Sequence, residues 1–103
     1  MPEYNKLVRD KIPEILTKRN KKFFYHIANK AEYSRKLNEK LLEEVGEFLD
    51  DPCIEELADI QEVLFALLEN MGETQSRLSE VQGRKAAERG RFSMGLILES
   101  VDE

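Results

Sequence analysis

Apolar residues recur at helical spacing along most of the chain. Between Ala31 and Asp50, Leu37, Leu41, Val45 and Phe48 fall at i, i+4, i+8 and i+11, one stripe of an amphipathic helix. From about Cys53 to Met71 the same spacing is set by Ile60, Leu64, Leu67 and Met71, and Gly72 is placed to end that helix. A weaker pattern from about Thr74 to Arg89 is anchored by Leu78 and Val81. Asp10 ahead of Ile12-Pro13 predicts a shorter helix entry, because a first turn has no use for the N–H that proline lacks. That helix runs to about Asn20, with Ile12, Ile15 and Leu16 turned inward. Lys18 to Lys22 forms a basic cluster at its C-terminal end, where cations suit the helix dipole, and reads as a solvated helix end.

Two segments break the helical period. Phe23-Phe24-Tyr25-His26-Ile27 is short, aromatic and β-prone, and Met94 to Val101 is the other strand candidate. A two-stranded ribbon is marginal unless it packs on helices, so the two segments are expected to pair and lie against a helical core. Asp50-Asp51-Pro52 makes a tight turn that sets the second and third helices antiparallel. The pattern predicts a mainly α protein, a small antiparallel helical bundle with a minor two-stranded β-ribbon. No repeat, linker or low-complexity tract divides it, so residues 1–103 read as one domain.

Composition narrows the chemistry. No apolar run reaches the ~20 residues that span a bilayer, and the opening Met1-Pro2-Glu3-Tyr4-Asn5-Lys6 has no apolar stretch of a signal peptide. The expectation is a cytoplasmic protein with no membrane partner. A formal net charge of −5 makes nucleic acid an unfavoured partner, and the absence of Trp, with 8% aromatic residues, argues against a base-stacking platform. One cysteine, Cys53, makes no internal disulfide, and one histidine, His26, makes no Cys/His zinc site. Carboxylates remain as the abundant reactive groups.

Their placement is more informative than their number. At 100° per residue, Glu44 and Glu47 lie beside the Leu37/Leu41/Phe48 stripe, while Glu43 falls further out and neighbours Glu47 at i, i+4. On the next helix, Glu56 and Asp59 flank the stripe of Ile60 and Leu67, whereas Glu55 and Glu62 point to solvent. An antiparallel pair of helices brings Glu44/Glu47 opposite Glu56/Asp59. Four carboxylates beside an apolar core repel one another, which raises their pKa values or demands a cation. An all-oxygen donor set suits Mg²⁺, with Mn²⁺ as a substitute, and no Glu-x-x-His pair is present to build a di-iron site. The bland account of these acids is a solvated helix edge. Gly46 inside a helix costs about 0.8–1 kcal/mol against alanine, which suggests a close approach there.

Lys85 and Arg89 stand at i, i+4 on the last helix, on the side of Leu78, with Arg91 just beyond Gly90. Basic groups facing metal-binding acids are what a metal-bound polyphosphate requires, although an exposed basic helix end is the more common account of such a pair. No Gly-rich phosphate loop occurs.

Lys40-Leu41-Leu42-Glu43-Glu44-Val45-Gly46-Glu47, followed by Glu56-Leu57-Ala58-Asp59-Ile60, resembles the ExxE…ExxD signature of the MazG-like all-α nucleoside triphosphate pyrophosphohydrolases. Tyr4-Asn5-Lys6-Leu7-Val8-Arg9-Asp10-Lys11-Ile12-Pro13 and Lys85-Ala86-Ala87-Glu88-Arg89-Gly90-Arg91-Phe92 are similar to the ends of its single-domain, phosphoribosyl-ATP pyrophosphohydrolase-like branch. Arg91 stands where relatives often have a second glycine. The resemblance implies Mg²⁺-dependent hydrolysis of a nucleoside triphosphate, ordinary or damaged, to monophosphate and pyrophosphate, a nucleotide-pool house-cleaning activity. It implies metal ligation by Glu44, Glu47, Glu56 and Asp59, and a water oriented by Glu43 or Glu47. Phosphate contacts fall to Lys85, Arg89, Arg9 and Lys11, and a homo-oligomer, dimer or tetramer, is implied as well. Two other readings compete: a non-catalytic nucleotide- or protein-binding helical module on the same scaffold, and a nucleic-acid-binding dimer using Arg77, Arg84, Lys85, Arg89 and Arg91.

Overall fold

The computed structural model describes residues 4–102; Met1–Glu3, part of the opening segment read as no signal peptide, lie outside them, as does Glu103. Four helices follow in chain order, α1 (Ile12–Lys18), α2 (Lys30–Asp50), α3 (Ile54–Asn70) and α4 (Gln75–Arg89). Their ends coincide with local chemistry. The Asn29 side chain accepts from the Glu32 N–H to open α2, and Thr74 accepts from the Arg77 N–H to open α4. Pro13 occupies the first turn of α1. Gly72, at φ +74°, and Gly90, at φ +82°, take the left-handed backbone that follows α3 and α4.

The chain forms two compact units, Met1–Gly72 and Glu73–Glu103. In the first, α2 and α3 pack against each other as an antiparallel hairpin. The sense of the pairing is fixed at its open end, where Asn70 Nδ2 donates to Ser34 Oγ at 2.9 Å. Among the described residues, Leu37, 1% exposed, and Val63 are the buried apolar side chains, and Leu41, Val45, Phe48, Ile60 and Leu67 are half-buried around them. The expected α3 stripe is therefore turned. Leu64 and Met71 are exposed, and Val63 takes the central place between Ile60 and Leu67. A row of i+4 steps drifts 40° per step round the helix, so a stripe begun at Ile60 leaves the interface by Leu64. In α1, Ile12 and Leu16 are half-buried, but Ile15 is exposed.

The second unit holds α4 and the residues after Gly90. Val81 and Ala86 are half-buried, whereas Leu78, the other expected anchor, is exposed. No strand occurs among the described residues. The ribbon expected from residues 23–27 and 94–101 is not formed: both segments lack strand pairing, and Phe24, Tyr25, Ile27, Met94, Leu96, Ile97 and Leu98 are exposed. The physical reason is the marginality of a two-stranded ribbon. Its few ladder hydrogen bonds do not offset chain entropy unless an apolar face is also covered, and here it is not. No helix among the described residues is long and apolar enough to cross a membrane.

Candidate metal centre

The hairpin places Glu44 of α2 opposite Glu56 and Asp59 of α3. One carboxylate oxygen from each of the three lies within 4.8 Å of the others. Glu44 is 7% exposed, while Glu56 and Asp59 are half-buried. Glu56 and Asp59 are three steps apart on the helix, so both carboxylates leave the same face about one turn apart. Glu44 lies on the Leu37 stripe, which carries it into the interface rather than to its edge.

The hydrogen-bond account of the centre is incomplete. Glu44 Oε1 is 3.5 Å from Lys40 Nζ, but Glu44 Oε2 and Glu56 Oε2 are buried with no partner among the described residues. A buried carboxylate oxygen with no donor costs on the order of 1–3 kcal/mol. Burial, then the neighbouring Glu47, push the Glu44 pKa above its ordinary value; Asp59 adds to this and Lys40 opposes it. A divalent cation would satisfy these oxygens together. The donors are hard carboxylates without nitrogen or sulfur, as Mg²⁺ and Mn²⁺ prefer.

Glu47 is exposed and is not among the mutually close oxygens. Three steps beyond Glu44 turn the helix 60° short of a full circle, so Glu47 sits beside the centre, towards the α2–α3 turn. Glu43 is half-buried on the other side, held by Lys6 Nζ at 3.2 Å and Lys40 Nζ at 3.5 Å. Burial works to raise its pKa, but the two lysines outweigh that and hold it below the ordinary carboxylate value.

The N-terminal residues run along the same hairpin. Lys36 Nζ donates to the Asn5 carbonyl at 2.6 Å, Lys6 reaches Glu43, and Arg9 Nη2 is 2.6 Å from Asp59 Oδ1. Arg9 thus meets the acid centre itself, whereas Lys11 is exposed at the N-terminus of α1. Lys85 and Arg89 are exposed on α4, in the second unit. Gly46 shows no close approach, since a Cβ there would meet nothing within 4 Å.

The sequence reading overlooked Lys6, Lys36 and Lys40. Lys40 was legible, three and four residues before Glu43 and Glu44 on one helix. The contacts of Lys6 and Lys36 join the N-terminal segment to α2, and no periodicity encodes such a pairing. No protein-family model matches the chain, nor does any curated protein or solved structure.

Proposed function

We propose that this protein is a Mg²⁺-dependent nucleoside triphosphate pyrophosphohydrolase, with Mn²⁺ able to substitute, built on a MazG-like helical scaffold and serving nucleotide-pool house-cleaning in the cytoplasm. The observation that carries this reading is the buried Glu44 carboxylate with an oxygen that no described residue satisfies, facing Glu56 and Asp59. An acidic cluster at a solvated helix edge would leave its oxygens to water. Here Glu44 is held in the hairpin interior, beside half-buried Glu56 and Asp59.

In this reading Glu44, Glu56 and Asp59 hold the cation, and Glu47 stands at the rim as a further oxygen donor. The bound ion would neutralise phosphate charge and lower the pKa of water. Glu43, kept ionised by Lys6 and Lys40, accepts a hydrogen bond from the attacking water and orients it. Glu47 is the alternative for that role. The water oxygen bonds to phosphorus as the α–β bridging P–O bond breaks, giving monophosphate and pyrophosphate, and the water proton passes to solvent. Arg9, poised on Asp59, exchanges that carboxylate for a phosphate oxygen when substrate arrives. Lys11, exposed at the start of α1 in the same unit, is the further candidate for phosphate contact that the sequence resemblance implies.

The test is incubation of the purified chain with a panel of ordinary and modified NTPs and dNTPs, in Mg²⁺ or EDTA, with products resolved by chromatography. Monophosphate plus pyrophosphate, lost in EDTA and in Asp59→Asn, is the expected result. Diphosphate plus phosphate would overturn the reaction class while retaining the metal centre. A folded protein that binds nucleotide without turning it over would replace the enzyme with a binding module.

A further inference from the structure

By its spacing alone the basic run Lys18 to Lys22 is a solvated helix end, but the fold gives it unusual neighbours. From Ile15 to Ala31 the chain carries five Lys or Arg and no carboxylate, although its net charge is −5. Lys18, Arg19, Lys21 and Lys22 are all exposed. Among the described residues only Lys18 of the four meets an acid, Glu14 at 3.5 Å. One or two cations suit the dipole of a two-turn helix, whereas four side by side repel one another unless an anion joins them.

The backbone groups these cations with apolar side chains. Asn20, at φ +55°, turns the chain out of α1. Its N–H donates to the Thr17 carbonyl and that of Lys21 to the Leu16 carbonyl, both at 3.0 Å, which closes the helix as a Schellman cap. The chain then runs to Ile27 without strand pairing. Near its far end His26 Nε2 lies 2.9 Å and 3.0 Å from the two carboxylate oxygens of Glu32, in the first turn of α2. Phe23 is half-buried and stacks on Tyr25, ring centroids 6.0 Å apart, as side chains two residues apart on an extended chain can. Phe24 alternates to the other side and is 83% exposed, and Ile27 is 90% exposed.

Cations beside protruding apolar side chains match an anionic lipid headgroup layer over hydrocarbon. Charge attraction and shallow apolar burial together hold a protein on a membrane without spanning it. A backbone without strand pairing keeps the entry shallow, because its N–H and C=O groups must stay at the wet headgroup level. Nucleic acid is the poorer fit. Ile27 has no ring face to stack on a base, and the rings of Phe23 and Tyr25 are stacked on each other.

We propose that the turn after α1, from Lys18 to Ile27, is a peripheral docking patch for an anionic lipid bilayer. Lys18, Arg19, Lys21 and Lys22 meet the headgroups, and Phe24 and Ile27 enter the acyl boundary. The patch needs neither metal nor nucleotide and stands apart from the proposed hydrolysis.

The full chain, in EDTA and at ~0.1 M salt, should co-sediment with phosphatidylcholine vesicles holding about 30% phosphatidylserine at least tenfold more tightly than with phosphatidylcholine alone. Raising the salt to ~0.5 M should weaken that binding at least tenfold. Each basic residue at such a surface is worth about fivefold, so Lys21→Gln/Lys22→Gln should weaken it about 25-fold with unchanged far-UV circular dichroism. Phe24→Ser/Ile27→Ser should weaken it by roughly tenfold at either salt, and Arg77→Gln/Arg84→Gln on α4 should leave it unchanged. In a Cys53→Ser background, a polarity-sensitive dye on Phe24→Cys should shift to the blue on anionic vesicles, and the same dye on Glu55→Cys should not. That label keeps every cation, so it decides the matter if the double glutamine variant fails to fold. Equal binding to both kinds of vesicle would overturn the patch, as would equal losses from the α4 and Lys21/Lys22 substitutions or equal dye shifts at positions 24 and 55. Duplex or single-stranded DNA that strips the chain from vesicles at equal total charge would replace the bilayer with nucleic acid as the partner.

Discussion

Replacing Glu44 with glutamine should give a protein more stable than the wild type without metal and less stable than it with metal. In the wild type, Glu44 is 7% exposed, has one oxygen without a donor, and faces Glu56 and Asp59. The Gln amide has nearly the same shape, carries no charge, and can donate to either facing carboxylate. Relieving an unsatisfied buried oxygen is worth about 1–3 kcal/mol, so Glu44→Gln in EDTA at neutral pH should be more stable by about 1–2 kcal/mol once the amide's own burial is counted. For a chain of this size that corresponds to a midpoint roughly 4–12 °C higher. Divalent cation acts in the other direction on the wild type alone. At a hundred times its dissociation constant a ligand stabilises the folded state by about 2.7 kcal/mol, and the glutamine variant has lost the central ligand. Thermal and urea unfolding followed by circular dichroism, in EDTA and across a Mg²⁺ or Mn²⁺ titration, should therefore show the two curves crossing. A Gln variant less stable than the wild type in EDTA would refute the orphaned-carboxylate account. Equal responses of both proteins to the cation would refute the metal centre.

Further outcomes follow from the same geometry. The raised Glu44 pKa means that its folded form holds a proton the unfolded chain has released, so metal-free stability should fall as pH rises from the ordinary carboxylate value through the raised one. Glu44→Gln should remove that component of a stability–pH profile. The lowered Glu43 pKa has the opposite sign: its contribution is complete above the ordinary value and is lost as pH falls through the lowered one, and Glu43→Gln should flatten that acid limb. Gly46→Ala should stabilise α2 by about 0.8–1 kcal/mol, measured by urea unfolding, because the added Cβ meets nothing within 4 Å. Arg9→Ala should tighten nucleotide-free Mn²⁺ binding about two- to fivefold by calorimetry, since an exposed ion pair is worth up to about 1 kcal/mol and Arg9 competes for Asp59. Unchanged or weaker binding would mean that Arg9 does not contest the centre.

The helices were legible because their determinants are local. Proline in a first turn, Gly72 and Gly90 after the last turns, and apolar residues at i and i+4 act within a few residues of themselves, and α2 and α3 begin and end within a residue of where those signals put them. The meeting of Glu44 with Glu56 and Asp59 was legible for a related reason. Two stripes on helices joined by a three-residue connection have one antiparallel way to face each other, and the acids flanking the stripes come with them. The exact rotation of each helix was not encoded so directly. Val63 rather than Leu64 reaches the interface, and Glu47 stays at the rim, because side-chain packing of the two helices sets the angle at which they meet.

What lies far apart in the chain was decided by tertiary structure alone. Arg9 and Asp59 are fifty residues apart and Lys6 and Glu43 thirty-seven, and ion pairs at such separation leave no periodic trace. The unformed ribbon is the converse case. Residues 23–27 and 94–101 have the β-branched and aromatic character of strands, but that character means only that they suit a covered, pleated surface. The sequence by itself determined which segments are helical and which acids share a helix face, because those are properties of one turn of backbone. Whether Glu44 loses its water, which lysines surround it and which apolar faces stay open depends on what each surface is packed against, and only the folded chain fixes that.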